Sequence, residues 1–140
     1  MNILLAVDGS EYTKRMLNYL AEHEELFGAN SKYTALTVVV PVPPHVTRFI
    51  GKEGLDAYYE EEAQKALKSV QAFAAKHESD FAVLHKVGHP ADVIAKTAST
   101  GKFDLLMMGS HGHATVTSLF LGSVTARVMA LCTTPTLIIR

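Results

Sequence analysis

Tryptophan is absent from this 140-residue chain, and cysteine occurs once, at Cys132. A lone cysteine excludes an internal disulfide and fits a reducing cytosol, so a cytoplasmic location is expected. Charge of either sign is scarce in excess: 13 Lys and Arg against 14 Asp and Glu leave a formal net charge of −1. Nothing in that balance draws the chain to nucleic acid or to an anionic membrane. Long apolar runs are missing too. Ile3 to Val7 is far too short for a signal peptide or a membrane span. There is no low-complexity segment, internal repeat or interdomain linker. What is present is 48% hydrophobic residues, enough to bury a core, and residues 1–140 read as one globular domain.

The apolar residues alternate between short and long blocks. Ile3-Leu4-Leu5-Ala6-Val7 reads as a strand covered on both faces, stopped by Asp8-Gly9-Ser10. Met16, Leu17, Leu20 and Phe27 then recur at helical spacing up to Gly28, with Asp8 or Ser10 placed to cap that helix. Tyr33 to Val40 is rich in β-branched residues and predicts strand two. Tyr59, Ala63, Ala66, Leu67, Val70, Phe73 and Ala74 mark an amphipathic helix. Strand three spans Phe81 to Val87, and a short helix spans Ala91 to Ser99 with Pro90 near its first turn. Strand four is Phe103 to Met108, the last helix Val124 to Cys132, and strand five Thr136 to Ile139. Unbroken strand–helix alternation predicts an α/β fold, an open five-stranded parallel sheet with helices on both faces. The segment Pro41 to Gly54 has two readings, an irregular surface loop or a mobile cover over a site.

Most informative is Gly109-Ser110-His111-Gly112, followed nine residues later by Gly122-Ser123, between strand four and the last helix. Glycines let backbone approach a phosphate closely, and a helix start presents unpaired N–H groups. Ligands of open α/β sheets sit beyond the carboxyl ends of the strands where the strand order reverses. No single motif forces a strand order, but an order 3-2-1-4-5 would bring Asp8-Gly9-Ser10 and the glycine loop together across one crevice, with Val38 to Val40 as a third wall. Phosphates would then lie at the glycine loop and an apolar base against the valines. Asp8 would reach a sugar hydroxyl or a phosphate-bound Mg²⁺.

These residues resemble a universal stress protein domain along the whole chain. The likeness rests on Ile3 to Ser10, Gly88-His89-Pro90, Leu105 to Gly112, Leu121-Gly122-Ser123-Val124 and Thr134 to Arg140. Gly109, Gly112, Gly122 and Ser123 match the family's nucleotide-binding spacing, Gly-x-x-Gly-x(9)-Gly-(Ser/Thr). The resemblance implies the order 3-2-1-4-5, a homodimer joined largely through the C-terminal strand, and ATP binding. It places Asp8 and Val38 at ribose and adenine, with Met108, Gly109 and Gly112 on the other side. Gly122, Ser123, Val124 and Thr125 would meet the phosphates through main-chain N–H and hydroxyl groups.

One departure concerns charge. Where many members carry two basic residues in this loop, this chain has His113 and Ser118. Neutral histidine offers little to a triphosphate. A lost charge-assisted hydrogen bond is worth about 1.5–3 kcal/mol, roughly tenfold to a hundredfold in affinity. ATP binding is expected to survive in weakened form, with ADP or AMP tolerated. Arg48 or Arg127 is expected to supply the missing charge.

Three functions from different classes follow. The first is a nucleotide-binding stress or signalling module without strong catalysis. The second is a non-nucleotide-binding dimerisation module of the same fold. The third is a weak ATPase or autophosphorylating enzyme, with Ser110, Ser118 and Ser123 as acceptors to check. ATP-pyrophosphatase and nucleotidyltransferase signatures are missing from the first strand end, and a receiver domain's acidic cluster is missing too. Other features have plainer readings. His111-x-His113 invites zinc but lacks a cysteine or a second carboxylate. Glu60-Glu61-Glu62 reads as a solvated face, and Met107, Met108 and Cys132 as buried apolar residues.

Overall fold

Residues 1–28, 30–114 and 120–140 are described by a computed structural model. In chain order they form β1 (Asn2–Ala6), α1 (Glu11–Glu22), α2 (Glu24–Phe27), β2 (Lys32–Val39), α3 (Pro44–Thr47) and α4 (Lys52–Lys76). These are followed by β3 (Phe81–Val87), α5 (Pro90–Thr100), β4 (Leu105–Gly109), α6 (Ser123–Leu131) and β5 (Thr136–Ile139). All four strand pairings are parallel, in the expected order β3-β2-β1-β4-β5.

The period-two rule of strands divides the core cleanly. Ile3 and Leu5 of β1, with Met107 of β4, join Met16, Leu17 and Leu20 of α1 and Leu67 and Val70 of α4 on one face. Leu4, Leu106 and Met108 point the other way, into Ile94 and Ala98 of α5 and Val128 of α6. The apolar run at β1 is unbroken because both of its faces are covered; Ile3, Leu4 and Leu5 have no solvent exposure.

Two expectations change. The helix read through to Gly28 breaks at His23, whose backbone (φ −126°, ψ 43°) leaves helical geometry between α1 and α2. The His23 ring stacks on Tyr19 at 4.1 Å, and its Nδ1 lies 2.9 Å from the Tyr19 carbonyl. The segment Pro41 to Gly54 is not one loop. Pro44 sits at the first turn of α3, where a missing N–H costs nothing, and α4 already begins at Lys52. The Tyr59 hydroxyl accepts the Val42 N–H at 3.0 Å and ties the start of this segment to α4.

Burial depth predicts the response to truncation. Leu5→Ala should lose about 2–5 kcal/mol in urea unfolding, because the sheet and two helices close on it from one side. Leu26→Ala, at a 60% exposed position, should stay within about 0.5 kcal/mol. Equal losses for the two variants would contradict this packing.

Candidate nucleotide site at the carboxyl ends of β1 and β4

The register Ala6↔Met108 ends the β1–β4 ladder, and just past it the two strands release polar turns side by side. Gly9 turns the chain out of β1 with φ +76°. A Cβ there would also stand 3.0 Å from the Ala66 Cα of α4, so glycine is required by both conformation and space. Asp8 Oδ1 accepts the Ser10 N–H (2.9 Å) and the Thr13 hydroxyl proton (3.1 Å). Thr13 Oγ1, almost fully buried, accepts the N–H groups of Asp8 and Gly9, each at 3.2 Å. Ser10 holds the N-cap position of α1, yet its hydroxyl makes no capping bond, and its Oγ is buried without a partner among the described residues. The turn is thus organised by Asp8 and Thr13.

Across the crevice, glycines serve chain packing as much as ligand access. A Cβ at Gly109 would meet the Tyr12 Cβ at 2.5 Å, so this glycine admits α1. A Cβ at Gly112 would stand 2.6 Å from Asp8 Oδ2, so the two loops meet there. At Gly122 the neighbours would be the Ser110 carbonyl and His111 Cα, both at 3.2 Å. Gly122 also donates its N–H to the Ser110 carbonyl at 2.7 Å. That amide closes the loop. The buried Thr125 hydroxyl donates to the Gly109 carbonyl at 2.8 Å and pins α6 to the end of β4. The first turn of α6 still begins with Ser123, Val124 and Thr125, whose N–H groups precede any intrahelical acceptor.

A cavity of about 580 Å³ opens between these turns, a volume suited to a small ligand. Asp8, Val38, Met108, Gly109, Gly112, His113, Gly122, Ser123, Val124 and Thr125 all line it. Its apolar wall comes from Leu36, Val38 and Val40 of the β2 end, Ile94 of α5 and Met108. Its polar wall comes from Asp8, Tyr12, Thr13, His111, His113 and Ser123. Tyr12, Thr13, His111 and Ile94 were not among the expected ligand-contact residues. The signal for Tyr12 and Thr13 was their place in the first turn after Asp8-Gly9-Ser10. Ile94 carried none, since it enters through α5 crossing behind β2.

Neither arginine expected to supply charge lies here. Arg48 is exposed outside the cavity lining, and Arg127 bonds Asp92 through Nε (3.3 Å) and Nη2 (3.2 Å) on the outer surface. His113 Nε2 lies 2.7 Å from the Asp8 carbonyl, and His111 Nδ1 lies 3.0 Å from Ser110 Oγ. The Ser110 side chain is buried; Ser118, and its expected roles, lie outside the described residues. Among the described residues, no three His, Cys, Asp or Glu side chains gather as a metal set, and no helix is long and apolar enough to cross a membrane. A larger hollow, about 1110 Å³, lies at the opposite, amino-terminal ends of the strands. It lacks both the converging strand ends and a long helix start, so the smaller cavity is the candidate site.

The universal stress protein family profile matches residues 1–140. The chain belongs to the universal stress protein family. A Thermus aquaticus member, the universal stress protein in the QAH/OAS sulfhydrylase 3′ region, is 33% identical over 99% of this chain and 97% of its own length. Among solved structures, universal stress protein UspA from Lactobacillus plantarum superposes with a TM-score of 0.74 at 24% identity, covering 100% of this chain and 97% of that one. A universal stress protein solved in complex with cAMP gives a TM-score of 0.64 at 25% identity, with the same coverage. The family thus carries the fold observed here.

Thr13 makes the turn after β1 testable. Thr13→Val keeps the shape but strands the Asp8 and Gly9 amides and one Asp8 lone pair. It should destabilise the protein by about 1–3 kcal/mol in urea unfolding. An unchanged midpoint would mean that these bonds do not hold the turn.

Proposed function

We propose that this universal stress protein is an adenine-nucleotide-binding module, with its ligand in the cavity between the ends of β1 and β4. ATP is the ligand the glycine spacing favours, with ADP or AMP tolerated. The observation that carries this reading is the gathering of ten motif-related residues around one cavity with an apolar wall on one side and a helix start on the other. The related protein in complex with cAMP supports it by showing that this fold accommodates an adenine nucleotide. Val38, Ile94 and Met108 would flank the base. Asp8 keeps Oδ2 beyond its internal bonds and would meet ribose hydroxyls or a phosphate-bound Mg²⁺. Ser123, Val124 and Thr125 would offer amides to a phosphate at the start of α6.

The test is titration calorimetry with ATP and Mg²⁺, together with chromatography of nucleotide released on denaturation. We expect adenine nucleotide to bind at one per chain, and Val38→Trp, which fills the base wall, to weaken it about tenfold or more. No heat and a clean supernatant would instead support the dimerisation module with an empty crevice.

A homodimer and a cytoplasmic location complete the reading. Among the described residues β5 pairs only with β4, and no strand covers its other edge. Met129 and Leu131 on α6 are each 47% exposed. Phe120 is 73% exposed, with the Arg140 guanidinium 4.9 Å above its ring. An apolar surface beside an open strand edge suits a two-fold contact with a second copy. Light scattering should give a dimer mass at micromolar concentration; a monomer would refute it.

A further inference from the structure

The cavity has a feature that the glycine spacing alone does not convey: its described lining contains no lysine or arginine. Sequence adds that none enters between Lys102 and Arg127, so residues 115–119 contribute no formal charge either. Arg127 is engaged with Asp92 on the outside. The groups able to carry positive charge at the glycine loop are therefore His111 and His113.

Resting on the nucleotide reading above, we infer that His113, with His111 beside it, supplies the cationic partner for a phosphate. The site then holds a phosphate more tightly as imidazole becomes protonated. The geometry explains why. His113 Nε2 sits 2.7 Å from the Asp8 carbonyl, an acceptor only, so the ring's proton belongs on Nε2. In the neutral ring Nδ1 then carries a lone pair, which an anionic oxygen avoids. In the imidazolium both nitrogens donate, and the bond to a phosphate becomes charge-assisted.

The surroundings are compatible with that charge. Asp8, at the end of β1, places its carboxylate against Gly112, the residue before His113. From α1, Tyr12 faces His111 with ring centroids 5.5 Å apart, and the Arg15 guanidinium lies 4.9 Å from the centre of the Tyr12 ring. The lining residues of β2 (Leu36, Val38), α5 (Pro90, Ile94) and α6 (Ser123 to Thr125) carry no ionisable group. Asp8 is thus the one carboxylate among the described lining residues.

AMP is a poor probe, because its own phosphate gains a proton over the same pH range as histidine. The experiment therefore compares adenosine with the 5′-methyl phosphodiester of AMP, which keeps a single charge throughout. Calorimetry runs from about pH 8 to about pH 5.5, across the range in which imidazole ordinarily titrates. Adenosine affinity should stay level. Diester affinity should rise about tenfold towards acid pH, the size of one charge-assisted hydrogen bond. His113→Gln should remove most of that rise and spare adenosine. His113→Arg should make diester binding strong at both pH values and raise ATP affinity. Adenosine binding with a flat diester profile, or a rise unchanged in His113→Gln, would overturn the inference and leave the cavity as the nucleoside site. Binding of neither compound would overturn both the inference and the site assignment.

Discussion

The pairing of β1 with β4 is the constraint on which the candidate site depends. Both strands are buried at the centre of the sheet, and the register Ala6↔Met108 sets where each ladder ends. From β1 the chain goes to α1 and returns to β2 on one flank; β4 leads to α6 and β5 on the other flank. Connections departing in opposite directions leave a gap above the central strands that no helix fills. Moving either strand by one residue would turn Leu4 or Leu5 out of its core face, so the gap is placed by apolar packing rather than by the polar residues that line it.

Once the gap exists, close contacts between main chains determine its shape. Gly9 lies against α4, Gly109 against α1, Gly112 against Asp8, and Gly122 against Ser110 and His111. These close approaches bring the turn after β1 and the turn after β4 together at Gly112 and Asp8. The bonds from Gly122 to Ser110 and from Thr125 to Gly109 hold the α6 side. A cradle held by so many internal bonds presents its remaining amides in fixed directions, which reduces the ordering cost of binding an anion.

The alternation of elements was legible in the sequence because it rests on local patterns; the strand order, which no single motif forces, came with the family resemblance, and with it the convergence of Asp8 and the glycine loop. Unbroken apolar runs at Ile3–Val7 and Leu105–Met108 fit strands covered on both faces. The break at His23 was not legible, since Phe27 continues the apolar spacing across it. Nor was the helical turn at Pro44, where three prolines within four residues resemble a loop. The internal bonds of Gly122 and Thr125 were not legible either, for one shared reason. Spacing identifies residues that converge, but a donor's actual acceptor depends on geometry, and here the nearest acceptor is the chain itself. The arginines failed as charge donors for the opposite reason: Arg127 is close in sequence to the α6 start, but lies on the helix face turned towards Asp92.

Removing arginine from a phosphate cradle changes more than affinity. A guanidinium stays charged at every physiological pH, so a loop that carries one holds its anion constitutively. A loop that relies on imidazole couples the anion to proton concentration, because binding a phosphate favours the protonated ring and the protonated ring favours the phosphate. In this crevice His113, whose Nε2 lies against the main-chain carbonyl of Asp8, is the residue on which the proposed linkage rests.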